Sequence, residues 1–467
     1  MITGFIACER YELYKNPDAT IYFSTDTIFF DTIFTTFGST TKQVRVHNRY
    51  DQPVEISYIR LAGGEDSFFR LNIDGYQTNE VSNIEIPPKD SIYIFVEVTI
   101  DPNNVDSVLL IQDSIVFNTN GNIQDVDLLA WGQDVHLIDG EEVQTQTWMN
   151  DKPYLVIHSM MVDTSQTLTI EEGVRLHFHR NSRLYVAGTI IVNGSLENPV
   201  VFEGDRLEEM YEDVAGQWDG IWLLPGSRDS RFNYAVIKNA VIGIESDTLS
   251  SVLNPNLKLS NTVIKNMSAV GILGLGTTIH ASNCEISECG QFAIALLIGG
   301  SYEFYHCTVA NYWGGDWKET TIRSTPAVIL NNYYEDIYKH IQVRPIEQAV
   351  FGNCIIWGSR DSEFEVDRYP GSALNFKLSH TISKIDPGEF DLEDETIFNH
   401  YMNFKDPKFD SIQIQDYRLD TLSPAKDVGS LNIATPFPLD LAGNSRLSDE
   451  GPDLGAYERI EADTLSR

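Results

Sequence analysis

Between about residues 18 and 136, apolar and polar side chains alternate with a period of two in short runs: QVRVH at 43–47, VEISYI at 54–59, IYIFVEV at 92–98 and DSIVF at 113–117. Turn signals separate these runs, among them Gly63-Gly64, Pro87-Pro88 and Asn120-Gly121. A period of two means a strand with one buried face, and many short strands broken by regular turns predict a β-sandwich over 18–136.

From about residue 150 the pattern changes to very short strands punctuated by Gly and Asn: TLTI at 167–170, GVRLHF at 173–178, LYVAGTIIVNG at 184–194 and PVVF at 199–202. Helical periodicity is absent, and a repeat emerges. YAVIKN at 234–239 aligns with NTVIKN at 261–266, NCEISE at 283–288, HCTVAN at 306–311 and NCIIWG at 353–358, with HTIS at 380–383 as a degraded copy. The offsets are 27, 22, 23, 47 and 27 residues, so the fourth interval hides either a missed turn or an insertion. A period of 22 to 27 built from strands indicates a parallel β-helix of roughly a dozen turns.

The register assigns side chains to faces. Second positions are small (Ala235, Thr262, Cys284, Cys307, Cys354, Thr381) and fourth positions are aliphatic (Ile237, Ile264, Ile286, Val309, Ile356), so both columns point inward. Three of the five cysteines therefore fill a core slot; Cys289 falls out of register. The Asn or His at the first position of every copy after Tyr234 suits a corner that needs the left-handed conformation. Lys238 and Lys265 share the fifth position and should stack outward.

Two resemblances follow from these motifs. In the first region a strand ending in Asn48, then Pro53-Val54 with Ile56, Phe68-Phe69 with Leu71, Ile86-Pro87 and Ala130-Trp131-Gly132 resemble, in that order, the immunoglobulin-like domains of bacterial surface and ciliary proteins. In the second, residues 166–178, Gly188-Thr189, 199–204, GQWDGIWL at 216–223 and PGS at 225–227 resemble the opening turns of bacterial right-handed parallel β-helix proteins of the pectin-lyase-like fold. YRL at 417–419, SPAKDVG at 423–429, DLAGNSR at 440–446 and DLGAYE at 453–458 are similar to their closing motif, a carboxy-terminal cap of secreted or surface-anchored chains. The resulting expectation is an all-β chain: a signal remnant and linker over 1–17, an N-terminal immunoglobulin-like β-sandwich over 18–136, a right-handed parallel β-helix over 137–420 and a cap segment over 421–467.

Composition narrows the function. Apolar residues make up 42 % of the 467, enough for packed cores. With 33 basic and 68 acidic side chains the formal charge is −35, which disfavours nucleic acid and any basic docking on anionic lipid. The opening MITGFIAC resembles the end of a bacterial lipoprotein signal, which would make Cys8 a lipid anchor and the only membrane contact. The cysteines show no metal-ligand spacing.

Enzymes on this fold need recognisable groups. A hydrolase needs facing carboxylates supplied by neighbouring turns, and the polygalacturonase pattern adds Gly-His-Gly and Arg-x-Lys segments, neither of which occurs. A lyase needs a base and a group that neutralises a uronate, for which only Lys238 and Lys265 stand out. The acidic loop 205–213 lacks a calcium-loop spacing. The region between the fourth and fifth aligned copies is rich in aromatics, with Tyr312, Trp313, Trp317, Tyr333, Tyr334 and Tyr338 as a candidate surface for sugar or protein. The expectation is a non-enzymatic envelope lipoprotein of a Gram-negative outer membrane, on its surface or periplasmic face. It would act as a binding or scaffold subunit for a polysaccharide or an outer-membrane protein, with no cofactor, metal or catalytic residue. The alternative is a polysaccharide lyase or glycoside hydrolase.

Overall fold

The computed structural model describes residues 12–35, 38–101, 108–247, 255–314 and 323–460. Cys8 and Trp317 lie outside them. The chain divides into two compact units, 1–135 and 136–467, and both are built from strands.

In the first unit two five-stranded sheets share one core. One sheet runs in the order Tyr22–Phe23, Lys42–His47, Ser91–Val98, Phe69–Ile73, Tyr76–Gln77, all antiparallel. The other runs Thr27–Phe34, Asn122–Gln133, Leu109–Thr119, Val54–Leu61, Glu80–Ile86; its first pair is parallel and the rest antiparallel. The period-two pattern is realised as alternation: Ile92, Ile94, Val96 and Val98 are buried while Tyr93, Phe95 and Glu97 face out. Asn48 explains why a strand should end in that residue. Its buried amide donates to the carbonyls of Gln52 (2.8 Å), Ile86 (3.0 Å) and Pro87 (3.0 Å), and its Oδ1 accepts from Tyr50 N (2.8 Å). One side chain thus satisfies backbone groups on two turns.

The second unit is a stack of three parallel sheets with eleven, nine and ten strands among the described residues, consistent with a β-helix. Successive strands enter the sheets in rotation: His136–Asp139 belongs to the first, Glu142–Val143 to the second, Gln146–Trp148 to the third, and Tyr154–Ile157 returns to the first. The aligned repeat is the first sheet, in register. Ile237 pairs with Ile264, Ile264 with Ile286, Ile286 with Val309 and Val309 with Ile356. The interval of 47 residues is a single turn, because Thr308–Asn311 pairs directly with Ile355–Gly358. Strand Val328–Asn331 splits that turn's extra length into two separate insertions, at different corners of the stack.

Corner chemistry follows the residue types. Tyr234, Asn261, Asn283, His306, Asn353, His380 and His400 all have φ between 46° and 54°, one per turn, just before the first sheet. The Asn side chains hydrogen-bond along the stack, Asn261 Nδ2 to Asn233 Oδ1 (2.9 Å) and Asn283 Nδ2 to Asn261 Oδ1 (3.1 Å). His306 continues the column through a hydrogen bond with Asn353 Nδ2 (3.0 Å), and where two His follow one another they stack, the His380 and His400 rings 4.4 Å apart. Gly220 marks the tightest approach: φ is 114°, and a Cβ there would sit 1.6 Å from the carbonyl oxygen of Ile242.

The cysteine column is a hydrogen-bonded slot. The Cys284, Cys307 and Cys354 thiols donate to the carbonyls of Ser282, Tyr305 and Gly352, each two residues back, at 3.2–3.4 Å. Thr262 and Thr381 do the same in the neighbouring turns, at 2.8 and 3.1 Å. Cys289 has an account too. Glu288 adopts φ of 50°, which turns the next side chain back inward to pair with Met267, and the Cys289 thiol donates to Ser287 O at 3.4 Å. Burial pushes its thiol up to about 12. Because Thr reproduces the slot's hydrogen bond, Cys284→Thr is expected to cost no more than about 1 kcal/mol in urea unfolding. A loss several times larger would show that sulfur packing, not the hydrogen bond, specifies the column.

The closing segment does not sit over an end of the stack, as the word cap implies. It runs back along the outside of the first sheet. Leu419, Ala425 and Leu454 pack on Ile355, Trp357 and Ile382, Ala456 N donates to Thr308 Oγ1 (2.9 Å) and Tyr457 Oη to Glu285 Oε2 (2.5 Å). The reason lies in the outward column: Thr308, Ile355 and Ile382 leave an apolar face that needs cover.

Candidate functional site

The sequence candidates separate into three places. Lys238 and Lys265 are ladder neighbours on the outer face of the first sheet, as the register requires. Carboxylates accompany them. Lys238 Nζ lies 3.0 Å from Glu203 Oε2, which occupies the same column one turn earlier, and Lys265 Nζ lies 4.0 Å from Asp213 Oδ1 in the loop. One turn before Glu203 stands His177, whose imidazole burial pushes down, against the pull of Glu203.

The aromatic candidates do not form one surface. Tyr312 is taken up by the closing segment, its ring 6.1 Å from Tyr417 and parallel to it, and 6.4 Å from Phe409. Tyr333 and Tyr334 belong to the hairpin Tyr333–Glu335 with Ile341–Val343, at the other insertion; Tyr333 Oη donates to the Asp367 carboxylate (3.1 Å). Tyr338 stands at the tip of that hairpin, 74 % exposed. Insertions that are adjacent in sequence diverge because strand Val328–Asn331 carries the chain from one corner to the next.

Trp313 lines a groove. Its indole faces a space of about 650 Å³ bordered by Asp213, Ser268, Ile414 and Gln415. Three distant parts of the second unit meet there: the loop after Gly204, the first insertion and the turn 412–415 of the closing segment. A chain of amides joins them. Asn266 Nδ2 donates to Asp213 Oδ1 (2.9 Å), and Gln415 Nε2 donates to Asn266 Oδ1 (3.1 Å). Gln415 Oε1 ends the chain as a buried acceptor without a hydrogen-bond partner among the described residues. The arrangement offers an aromatic face beside hydroxyl, amide and carboxylate side chains, which suits a hydroxyl-rich ligand. Asp213 was legible only as one acid of a polar loop, and Gln415 carried no signal, since its partner lies 149 residues away.

Among the described residues no three His, Cys, Asp or Glu side chains converge to hold a metal ion. The loop acids have other partners: Asp205 meets His179 (2.6 Å) and Glu208 meets Arg206 (2.7 Å). No helix among the described residues is long and apolar enough to cross a membrane.

No protein-family model and no curated protein matches the chain. Among solved structures, a family 123 glycoside hydrolase from Clostridium perfringens, described for glycolipid glycan hydrolysis, is similar at 8 % identity with a TM-score of 0.18. The similarity covers 25 % of this chain, and the chain spans about a quarter (26 %) of that enzyme; it carries no argument about fold or activity.

Proposed function

We propose that the protein is a non-enzymatic cell-envelope subunit that holds a polysaccharide in the groove beside Trp313, on the flank of a right-handed parallel β-helix. A lipid on Cys8 anchors it to the outer membrane of a Gram-negative bacterium, and the N-terminal unit, an immunoglobulin-like sandwich, acts as spacer. One arrangement carries the reading of the groove. Trp313, Ser268 and the chain Asp213–Asn266–Gln415 converge there. Lys238 and Lys265, on the outer face of the first sheet, are a separate candidate contact, each matched to a carboxylate, at 3.0 and 4.0 Å.

Affinity electrophoresis of the full chain through gels containing polygalacturonate or galactomannan tests this. Retention on at least one gel, weakened about tenfold in Trp313→Ala, is expected. Migration unaffected by both polymers, or a variant retained like the parent, would overturn the groove. Release of unsaturated uronates or new reducing ends, lost in a Lys238→Ala, Lys265→Ala double variant, would replace the scaffold with a lyase or hydrolase.

A further inference from the structure

The outer face of the first unit carries a second arrangement, independent of the groove. Along Ser91–Val98 the outward positions hold Tyr93, Phe95 and Glu97, the two rings remaining 42 % and 38 % exposed. Residues two apart on a strand stand side by side on one face, and here the ring centroids are 6.5 Å apart with planes 21° from parallel. Two aromatic rings held with nearly parallel planes and partly open to solvent make an aromatic shelf.

Polar groups surround the shelf in fixed positions. Arg45 lies opposite Tyr93 and Gln43 opposite Phe95 on one neighbouring strand; on the other, Asn72 lies opposite Phe95 and Arg70 opposite Glu97. Beside the Phe95 ring opens a cavity of about 620 Å³ lined by Thr41, Glu65, Arg70, Asn72, Gln77 and Glu97. Several of these groups are oriented by the protein itself. Thr41 Oγ1 donates to Glu97 Oε1 (2.5 Å), Arg70 Nη1 donates to Phe69 O (2.7 Å), and Asn72 Oδ1 accepts from Gly75 N (2.9 Å). Pre-oriented polar groups lower the ordering cost of binding.

The charges choose among ligands. The cavity sets one guanidinium, Arg70, against two carboxylates, Glu65 and Glu97, and Arg45 stands across from Tyr93 on the neighbouring strand, so the face as a whole carries both signs in equal number. Neither a polyanion nor a polycation finds a complementary field there. A neutral sugar does fit: its C–H face lies flat on an aromatic ring, and vicinal hydroxyls meet the paired donors and acceptors of guanidinium, amide and carboxylate.

We propose that this face is a second binding site for a neutral polysaccharide, with sugar rings stacked on Tyr93 and Phe95 and hydroxyls held by Arg70, Asn72 and Glu97. It makes the first unit a ligand-binding module in its own right, whatever the flank groove binds. Affinity electrophoresis of the full chain with soluble mixed-linkage β-glucan, xylan and, as the anionic contrast, alginate tests the site. Retention by β-glucan or xylan is expected, reduced at least tenfold in Tyr93→Ala, Phe95→Ala, kept in Tyr93→Phe, Phe95→Tyr and kept in Trp313→Ala. The thermal midpoint of the alanine variant should match the parent, because both rings are exposed. The site is overturned if neither neutral polymer retains the chain, if alginate alone does, or if the double alanine variant is retained like the parent. Retention lost only in Trp313→Ala would also overturn it, while leaving the groove intact.

Discussion

Arg446→Leu is expected to release the closing segment from the stack and to cost on the order of 3–5 kcal/mol in that part of the chain. Arg446 is fully buried. Its guanidinium donates to Glu458 Oε2 (3.1 Å), Asn283 Oδ1 (3.2 Å) and the carbonyls of Gly455 (3.1 Å) and Ala456 (3.0 Å). It is the cation that faces Asp440, Asp453 and Glu458. Leucine fills much of the volume but leaves the Glu458 carboxylate, the Asn283 amide oxygen and two carbonyls without this donor, and Asp440 and Asp453 without the charge that faces them, and these losses set the cost. Arg446→Lys should restore little, since one ammonium cannot reach four acceptors spread around a planar fork. Hydrogen exchange followed by mass spectrometry separates this local release from global unfolding. Residues 436–458 should lose protection while the strands of the first sheet keep theirs, because each turn of a stack is held by its own neighbours. Unchanged protection in 436–458 would show that the apolar contacts of Leu419, Ala425 and Leu454 hold the segment unaided.

That segment also marks where the sequence stopped being informative. The first-sheet ladder was readable because inward residues recur at a fixed offset along the chain, and Ile237, Ile264, Ile286, Val309 and Ile356 are paired in the structure. The left-handed corners were readable because Asn and His tolerate that conformation locally. Cys289 was not, because the left-handed turn at Glu288 shifts its face and Glu gives no warning of one. Contacts of the closing segment span 163 residues for Arg446 to Asn283 and 172 for Tyr457 to Glu285, with no repeat to reveal the pairing. The groove was hidden for the same reason: Trp313 stood out as an aromatic, but its neighbours come from the loop before and the turn long after it. The shelf of Tyr93 and Phe95 was within reach. In IYIFVEV the aliphatic residues claim the buried face, so both aromatics fall on the outward one.

Raising the pH from about 5 to about 9 is expected to weaken the same closing segment by on the order of a few kcal/mol. Burial first, then the neighbouring Asp453, pushes Glu458 from an ordinary 4.5 up to about 8, although Arg446 pulls the other way. Burial pushes Asp453 from 3.8 up to about 6, with Asp427 and Asp449 adding to the rise. One guanidinium facing Asp440, Asp453 and Glu458 cannot neutralise three carboxylates, so the folded cluster retains protons that the unfolded chain has already released. The sign follows from that difference. Where the folded state binds more protons, stability falls as pH rises, so this contribution is full below the ordinary carboxylate values and is lost as pH climbs through about 6 and then 8. Exchange protection of residues 436–458, measured across that range, should therefore decline with pH. General repulsion on a chain of net charge −35 predicts a decline as well, but salt screens surface charges and reaches a buried cluster far less. The decline should persist in about 0.5 M salt and flatten in Glu458→Gln, which keeps an acceptor for Arg446 and removes the titration. A decline abolished by salt would place its origin on the surface, and protection that stays flat from pH 5 to 9 would mean that Glu458 is ionised throughout that range, held by Arg446.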